Sequence, residues 1–302
     1  MEIKEKTIVI VGPTSSGKSD LAVCLAKEFD GEIISADSRQ VYRGLDIGSG
    51  KITKRERKKI PHHLLDVANP QRKFTASDFK RLGEKALTQI RQKGKLPIIV
   101  GGSGFYIDAL LGKINLPPVK PDSKLRQSLV KIKTSELYDQ LKNLDPQRAR
   151  VVDCHNRPRL IRAIEIAKAL GQVPITNSKK TDDRKVLWLG IKVKPEELAR
   201  KIKARLDKRL RHGLIAEIKK LRQPIIGRGL STKRLWDLGL EYRYVNLYLE
   251  NKLSKTEMID KLEREIIKYA KRQMIWFKAN DQIKWIKDYP QAESLVKQFL
   301  EN

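Results

Sequence analysis

The chain has 302 residues, 40% of them apolar, enough for about two domains with real cores. Its 64 Lys and Arg against 36 Asp and Glu give a formal net charge of +28, which points to a polyanionic partner rather than to a merely soluble surface. Two cysteines and four histidines exclude a disulfide scaffold and leave no Cys/His cluster for zinc, and no apolar run approaches the roughly 20 residues of a membrane span.

Met1 to Lys6 runs almost directly into a core-like strand, so no leader is expected, and the protein is expected in the cytoplasm with no membrane partner. That strand, Thr7-Ile8-Val9-Ile10-Val11, is the β-branched run of a buried parallel strand. Gly12-Pro13-Thr14-Ser15-Ser16-Gly17-Lys18-Ser19 follows it and fits the phosphate-loop pattern of nucleotide-binding proteins. Leu21, Leu25 and Phe29 then recur at helical spacing. Strand, glycine turn and helix start together aim backbone N–H groups and a positive dipole end at one point, where a polyphosphate belongs, from ATP or another donor. Lys18 would bridge its oxygens, and the Ser19 hydroxyl would hold Mg²⁺.

Glu32 to Ala36 reads as a second strand, ending at Asp37, whose carboxylate suits a general base or metal partner as well as a plain helix cap. Gly48-Ser49-Gly50-Lys51 resembles half a phosphate loop, but no strong strand precedes it and it is not counted as a second nucleotide site. His63 to Val67 is a third strand candidate; His62 and His63, adjacent on a strand, face opposite sides and are read as structural. Thr75 with Asp78 starts a helix to about Arg91, and Leu96 to Val100 is a fourth strand running into Gly101-Gly102-Ser103-Gly104. Such alternation predicts a phosphate-loop α/β core with a parallel sheet, ligands gathering at the carboxyl ends of its strands.

After Leu116-Pro117-Pro118 the chain becomes helical and basic, with Asp145-Pro146 as a cap and first-turn proline. Val186 to Ile191 reads as a strand returning to the sheet, Lys194-Pro195-Glu196 opens a basic helix to about Leu221, and Ile226-Gly227-Arg228-Gly229 breaks the pattern. Ser254 with Glu257 caps a helix to about Lys278, with Leu262, Ile266 and Tyr269 as its apolar stripe, and Ile283 to Ile286 is a short last strand. On that helix Arg264, Lys268, Lys271 and Arg272, with Tyr269, Trp276 and Phe277 interleaved, suit a solvated face and a nucleic acid alike. The expected organisation is a core over 1–115, rejoined by about 184–195 and 254–302, with inserted basic helical material over 116–183 and 196–253.

Seven blocks, in order and spacing, resemble the bacterial tRNA dimethylallyltransferases over nearly the whole chain. They are Gly12 to Ser19; Asp37-Ser38-Arg39-Gln40-Val41-Tyr42; Leu45-Asp46-Ile47-Gly48 with Lys51; His62-His63-Leu64-Leu65-Asp66; Gly101 to Tyr106; Arg159-Leu160-Ile161-Arg162-Ala163-Ile164-Glu165; and Tyr269-Ala270-Lys271-Arg272-Gln273. The chain departs from the usual pattern at Ser103, where the family has Thr, at Gly48-Ser49-Gly50-Lys51-Ile52, where it has Gly-Thr-Ala-Lys-Pro, and at Leu238-Gly239-Leu240, where it has Ile-Gly-Tyr.

The resemblance implies transfer of a dimethylallyl group from dimethylallyl diphosphate to N6 of the adenine 3′ to the anticodon, in a monomer. The diphosphate would lie on Gly12 to Ser19, with Lys18, Asp37 and Ser103 catalytic and Asp37 the base. Asp37, Ser38, Arg39, Gln40 and Ser103 would meet the extruded base. Arg126, Pro158, Arg159, Leu160, Ile161, Arg162, Lys271, Arg272 and Gln273 would contact the anticodon stem-loop, the inserted helices carrying much of it. A small-metabolite kinase, a prenyltransferase of free adenine nucleotides and a non-catalytic RNA-binding module are the rivals; the first two leave the +28 charge idle and the third leaves the phosphate loop idle.

Overall fold

The computed structural model describes residues 5–174, 182, 185–223 and 229–301. β1 (Thr7–Val11) is buried at every position, as a strand covered on both faces must be. It leads through the phosphate loop into α1 (Lys18–Glu28), β2 (Gly31–Ser35), β3 (His62–His63), α2 (Ala76–Gln92), β4 (Leu96–Gly101) and α3 (Gly104–Leu110). Four short helices follow: α4 (Ser123–Leu129), α5 (Thr134–Leu144), α6 (Pro146–Val151) and α7 (Arg157–Leu170). Then come β5 (Val186–Ile191), α8 (Pro195–Arg211), α9 (Leu214–Arg222), α10 (Thr232–Leu238), α11 (Leu240–Leu249), α12 (Lys255–Lys278), β6 (Ile283–Ile286) and α13 (Tyr289–Glu301).

The six strands found among the described residues form one sheet in the order β3-β2-β4-β1-β5-β6, every neighbouring pair parallel. Side chains alternate between its faces. Ile8 and Ile10 pack with Leu25 of α1 and Val296 of α13, while Val9 and Val11 pack with Phe79 and Ile90 of α2 and with Phe277 of α12. Val11 pairs with Gly101 and Ser35 with Val100, so the phosphate loop, Asp37 and Ser103 all leave the sheet at one edge.

Two compact units make up the chain, Met1–Lys113 with Lys180–Asn302, and Ile114–Lys179. The smaller unit is α4–α7, closed over Leu129, Leu137, Leu141, Leu160 and Ile164, with Asp145 capping α6 through the Arg148 amide. The stretch 196–253, expected as a second part of the insert, is helical, but α8–α11 pack around α12 inside the larger unit. There Leu206, Ile218, Leu235 and Val245 surround Met258, Leu262 and Ile266, and Ser254 and Glu257 form the capping box of α12.

The third strand is shorter and one residue earlier than expected. Leu64 (φ 64°) and Asp66 (φ 59°) are left-handed, which ends β3 at His63 and bends Asp66 back to Lys51. α13, which no motif announced, covers one face of the sheet. The break at 226–229 lies outside the described residues except for Gly229. No helix among the described residues is long and apolar enough to cross a membrane.

Candidate active site

The phosphate loop turns on Gly17, which sits just before α1 at φ 90°, a conformation that strains any residue with a Cβ. Lys18 folds back, its Nζ donating to the Pro13 carbonyl at 2.7 Å. Burial, with the Arg205 cation adding to it and Asp37 opposing, pulls the Lys18 ammonium down to about 7. Ser16 Oγ is buried with no hydrogen-bond partner among the described residues, and Ser19 is exposed at the helix start. A buried lysine whose charge is costly and a buried hydroxyl without a partner suit a cradle for an anion.

Asp37 follows β2. Its Oδ1 accepts from the Arg39 amide (2.8 Å) and the Gln40 amide (3.2 Å), so one oxygen does the work of a cap while Oδ2 is not needed for it. Ser103 supports the same turn, its Oγ accepting from the Ser38 amide at 3.1 Å and its own amide donating to the Ala36 carbonyl at 3.2 Å. Two cavities meet this carboxylate. One, of about 70 Å³, is walled by Lys18, Ser19, Gln40, His62 and Arg205; the other, of about 240 Å³, by Arg39, Tyr242, Arg243 and Arg272. Thr14, Asp37, Ser49 and Tyr269 belong to both walls. Burial and the charge of Asp37 push the Tyr269 phenol up to about 12, so it stays a neutral donor beside the carboxylate.

Lys18, Ser19, Asp37, Ser38, Gln40 and Ser103 therefore come together as expected. Arg39 does too, with part of its guanidinium engaged: Nε donates to the Leu238 carbonyl at 2.5 Å and Nη2 to that of Asp237 at 3.3 Å. Gln273 is buried rather than facing solvent. Its Oε1 accepts from the Thr14 amide at 2.8 Å and its Nε2 donates to the Gly102 carbonyl at 3.0 Å, tying α12 to the phosphate loop. A Cβ on Gly102 would run into that amide. Lys271 and Arg272 are exposed, with the Arg272 guanidinium 6.0 Å from the Tyr269 ring centre.

The remaining expected RNA contacts lie in the smaller unit. Pro158 and Arg159 are exposed on α7, but Leu160 and Ile161 are part of that unit's apolar core, so their side chains have no surface to offer. Arg126 and Arg162 both turn inward to Glu165, the first through Nε and Nη2 at 2.7 and 2.6 Å, the second through Nη1 at 3.1 Å. Lys51 is likewise structural: buried, it joins Tyr42, Asp46 and Asp66. His63 bonds Glu32 at 2.7 Å, and no group of three or more His, Cys, Asp or Glu poised for a metal exists among the described residues.

Arg205 and Arg209 lie outside every sequence block, and His62, read as structural, lines the site as well. His62 donates from Nδ1 to the Ile60 carbonyl at 2.8 Å; burial lowers its basicity and outweighs that bond, so the neutral ring keeps Nε2 as an acceptor. Arg205 donates to the Gly50 carbonyl at 3.1 Å, and burial, with Arg209 close by, brings it down to about 10. Arg209 pairs with Glu241 at 2.6 Å. Along α8, Lys201, Arg205, Lys208, Arg209 and His212 share one face and wall a third recess, of about 610 Å³, opposite Ser15 to Asp20. Arg205 thus adds a guanidinium to the phosphate-loop lysine from a second element.

The chain is similar over nearly its whole length to known proteins. The pattern of the IPP transferase family matches residues 40–280. A tRNA dimethylallyltransferase of Citrifermentans bemidjiense is 40% identical, the match covering 96% of this chain and 94% of that one. Among solved structures, the full-length tRNA isopentenylpyrophosphate transferase of Bacillus halodurans superposes with a TM-score of 0.72 at 34% identity, covering 98% and 97% of the two chains. A eukaryotic dimethylallyltransferase acting on tRNA gives 0.76 at 28% identity, over 97% of this chain and 77% of that one.

Proposed function

The chain belongs to the IPP transferase family, and from that premise we propose that it transfers a dimethylallyl group from dimethylallyl diphosphate to N6 of the adenine 3′ to the anticodon of tRNA. The observation that carries this reading is the carboxylate of Asp37 in the walls of two cavities, one of them built on a phosphate loop. A donor with an anionic end enters from the loop side. An acceptor base enters past Tyr269 and Arg272, out of its stack. As N6 bonds to the allylic carbon, the carbon–oxygen bond breaks and its electron pair leaves with the diphosphate. The N6 proton, acidified by the new bond, passes to Asp37 Oδ2, while Oδ1 stays fixed by its two amides.

Lys18 and Arg205 face the departing charge, and protonating Lys18 as the donor binds restores the charge that burial had made costly. The donors near the loop are hard oxygens, Ser19 Oγ among them, and this set suits Mg²⁺ held mostly by ligand phosphates and water. When bound there, Mg²⁺ would supply further positive charge to the leaving diphosphate. By the same reading it works as a monomer, in the cytoplasm with tRNA; the names of its relatives support the tRNA substrate.

Labelled dimethylallyl diphosphate offered with unmodified tRNA, with AMP, or replaced by labelled ATP separates the readings. Label is expected in tRNA alone. Label in AMP, or a phosphoryl group moved from ATP, would overturn the proposal.

A further inference from the structure

Trp236 stands out among the exposed large apolar residues because a guanidinium is fixed against its indole. It lies in the last turn of α10, 48% exposed. Arg243, one turn into α11, sets its guanidinium 4.3 Å from the indole centre. The same guanidinium donates to the Trp236 carbonyl from Nε at 3.3 Å and from Nη2 at 3.1 Å. An exposed tryptophan is ordinary; one with a cation fixed against its face and the cation's donors tied to its own backbone is a pre-formed plate.

The plate also has a particular place. Arg243 is part of the wall of the 240 Å³ cavity that holds Asp37, Tyr269 and Arg272. The carbonyls of Asp237 and Leu238, the residues after Trp236, are those that Arg39 grips, and the Arg39 amide holds Asp37 Oδ1. A short chain of hydrogen bonds therefore runs from the end of α10 to the acceptor carboxylate.

We propose that Trp236, backed by Arg243, stacks a base next to the target adenine and so fixes the register in which the RNA presents that adenine to Asp37. The inference rests on the reading of the larger cavity as the acceptor side. When one nucleotide leaves its stack, its neighbours lose a stacking partner, and an aromatic plate backed by a residue of the cavity wall replaces it. Stacking on indole accepts any base, so the plate sets position and not identity.

The test uses the full chain, its Trp236→Ala and Trp236→Phe variants, and anticodon stem-loop RNAs carrying a single abasic nucleotide on one side or the other of the target. Both prenyl transfer and RNA affinity by fluorescence anisotropy are read. Trp236→Ala is expected to weaken binding and raise the apparent KM for RNA roughly tenfold, the scale of one base–aromatic stack, with kcat nearly unchanged and Trp236→Phe close to wild type. One abasic RNA should reproduce that loss on the wild type and add nothing to it on Trp236→Ala. Losses that simply multiply on every RNA, or no loss at all, would overturn the inference. Absence of prenyl transfer by the wild type would instead overturn the proposed function, and the anisotropy data would still decide on the plate.

Discussion

At Asp37 the capping role and the proposed catalytic role fall on different oxygens, so an amide can keep one and lose the other. Asp37→Asn retains an oxygen for the Arg39 and Gln40 amides and removes the proton acceptor. Single-turnover transfer on saturating tRNA is expected to slow by ~10²–10⁴-fold, the usual worth of a general base, with little change in the melting curve. Near-normal chemistry in a variant destabilised by ~1 kcal/mol would leave Asp37 only a cap. Lys18 makes the opposite bargain between stability and activity. Its ammonium falls from the ordinary 10.5 to about 7. Across that window the unfolded chain holds a proton that the folded chain has released, so stability rises with pH and the full burial penalty is present only below it. Lys18→Met should therefore raise the Tm of the ligand-free protein at pH 6–7 by about 2 °C or more, and the gain should shrink toward pH 10. Transfer should fall below about a tenth of wild type, a loss of ~1.4 kcal/mol or more. A melting temperature that drops at pH 6–7 would show that the Lys18–Pro13 contact outweighs the desolvation.

Among elements, α7 shows how a charged block can be misread. Burial pushes the Glu165 carboxyl up, but hydrogen bonds from Arg126, the Asp122 amide and Arg162 outweigh it, and it ionises below the ordinary glutamate range. Its contribution to stability is thus complete above the ordinary glutamate value and disappears as pH falls through the lowered one. Glu165→Gln should weaken the Ile114–Lys179 unit by about 2 kcal/mol or more at pH 7, because two arginines keep their burial and lose their counter-charge. Faster amide hydrogen exchange confined to α4–α7 is the expected sign; unchanged exchange would mean that the network adds nothing. From sequence this block reads as basic surface, since the partner of Arg126 lies 39 residues away. What could be read locally was read well: the phosphate loop is one strand, one turn and one helix, and the capping boxes of α2 and α12 stand where three-residue spacings put them. The face of α8 escaped because Lys201, Arg205 and Lys208 look like any solvated helix until the fold sets the phosphate loop opposite. Gln273 was recognised by its block, but its inward direction depends on where α12 crosses the sheet edge.

For the molecule as a whole, the net charge of +28 has an observable cost in salt. Affinity for tRNA should fall as a power of salt concentration, with an exponent set by the phosphates neutralised, while KM for the prenyl donor changes much less. A flat response of tRNA affinity from low to physiological salt would contradict a nucleic-acid substrate. The pair of cavities has a further consequence, for the order of events in turnover. With the donor proposed for one cavity and the base for the other, the two products lie against separate walls that share only Thr14, Asp37, Ser49 and Tyr269. Diphosphate should then inhibit competitively against the prenyl donor and noncompetitively against tRNA, and modified tRNA the reverse. Initial-rate patterns in which diphosphate competes with tRNA instead would describe a single-file site, with one entrance serving both substrates.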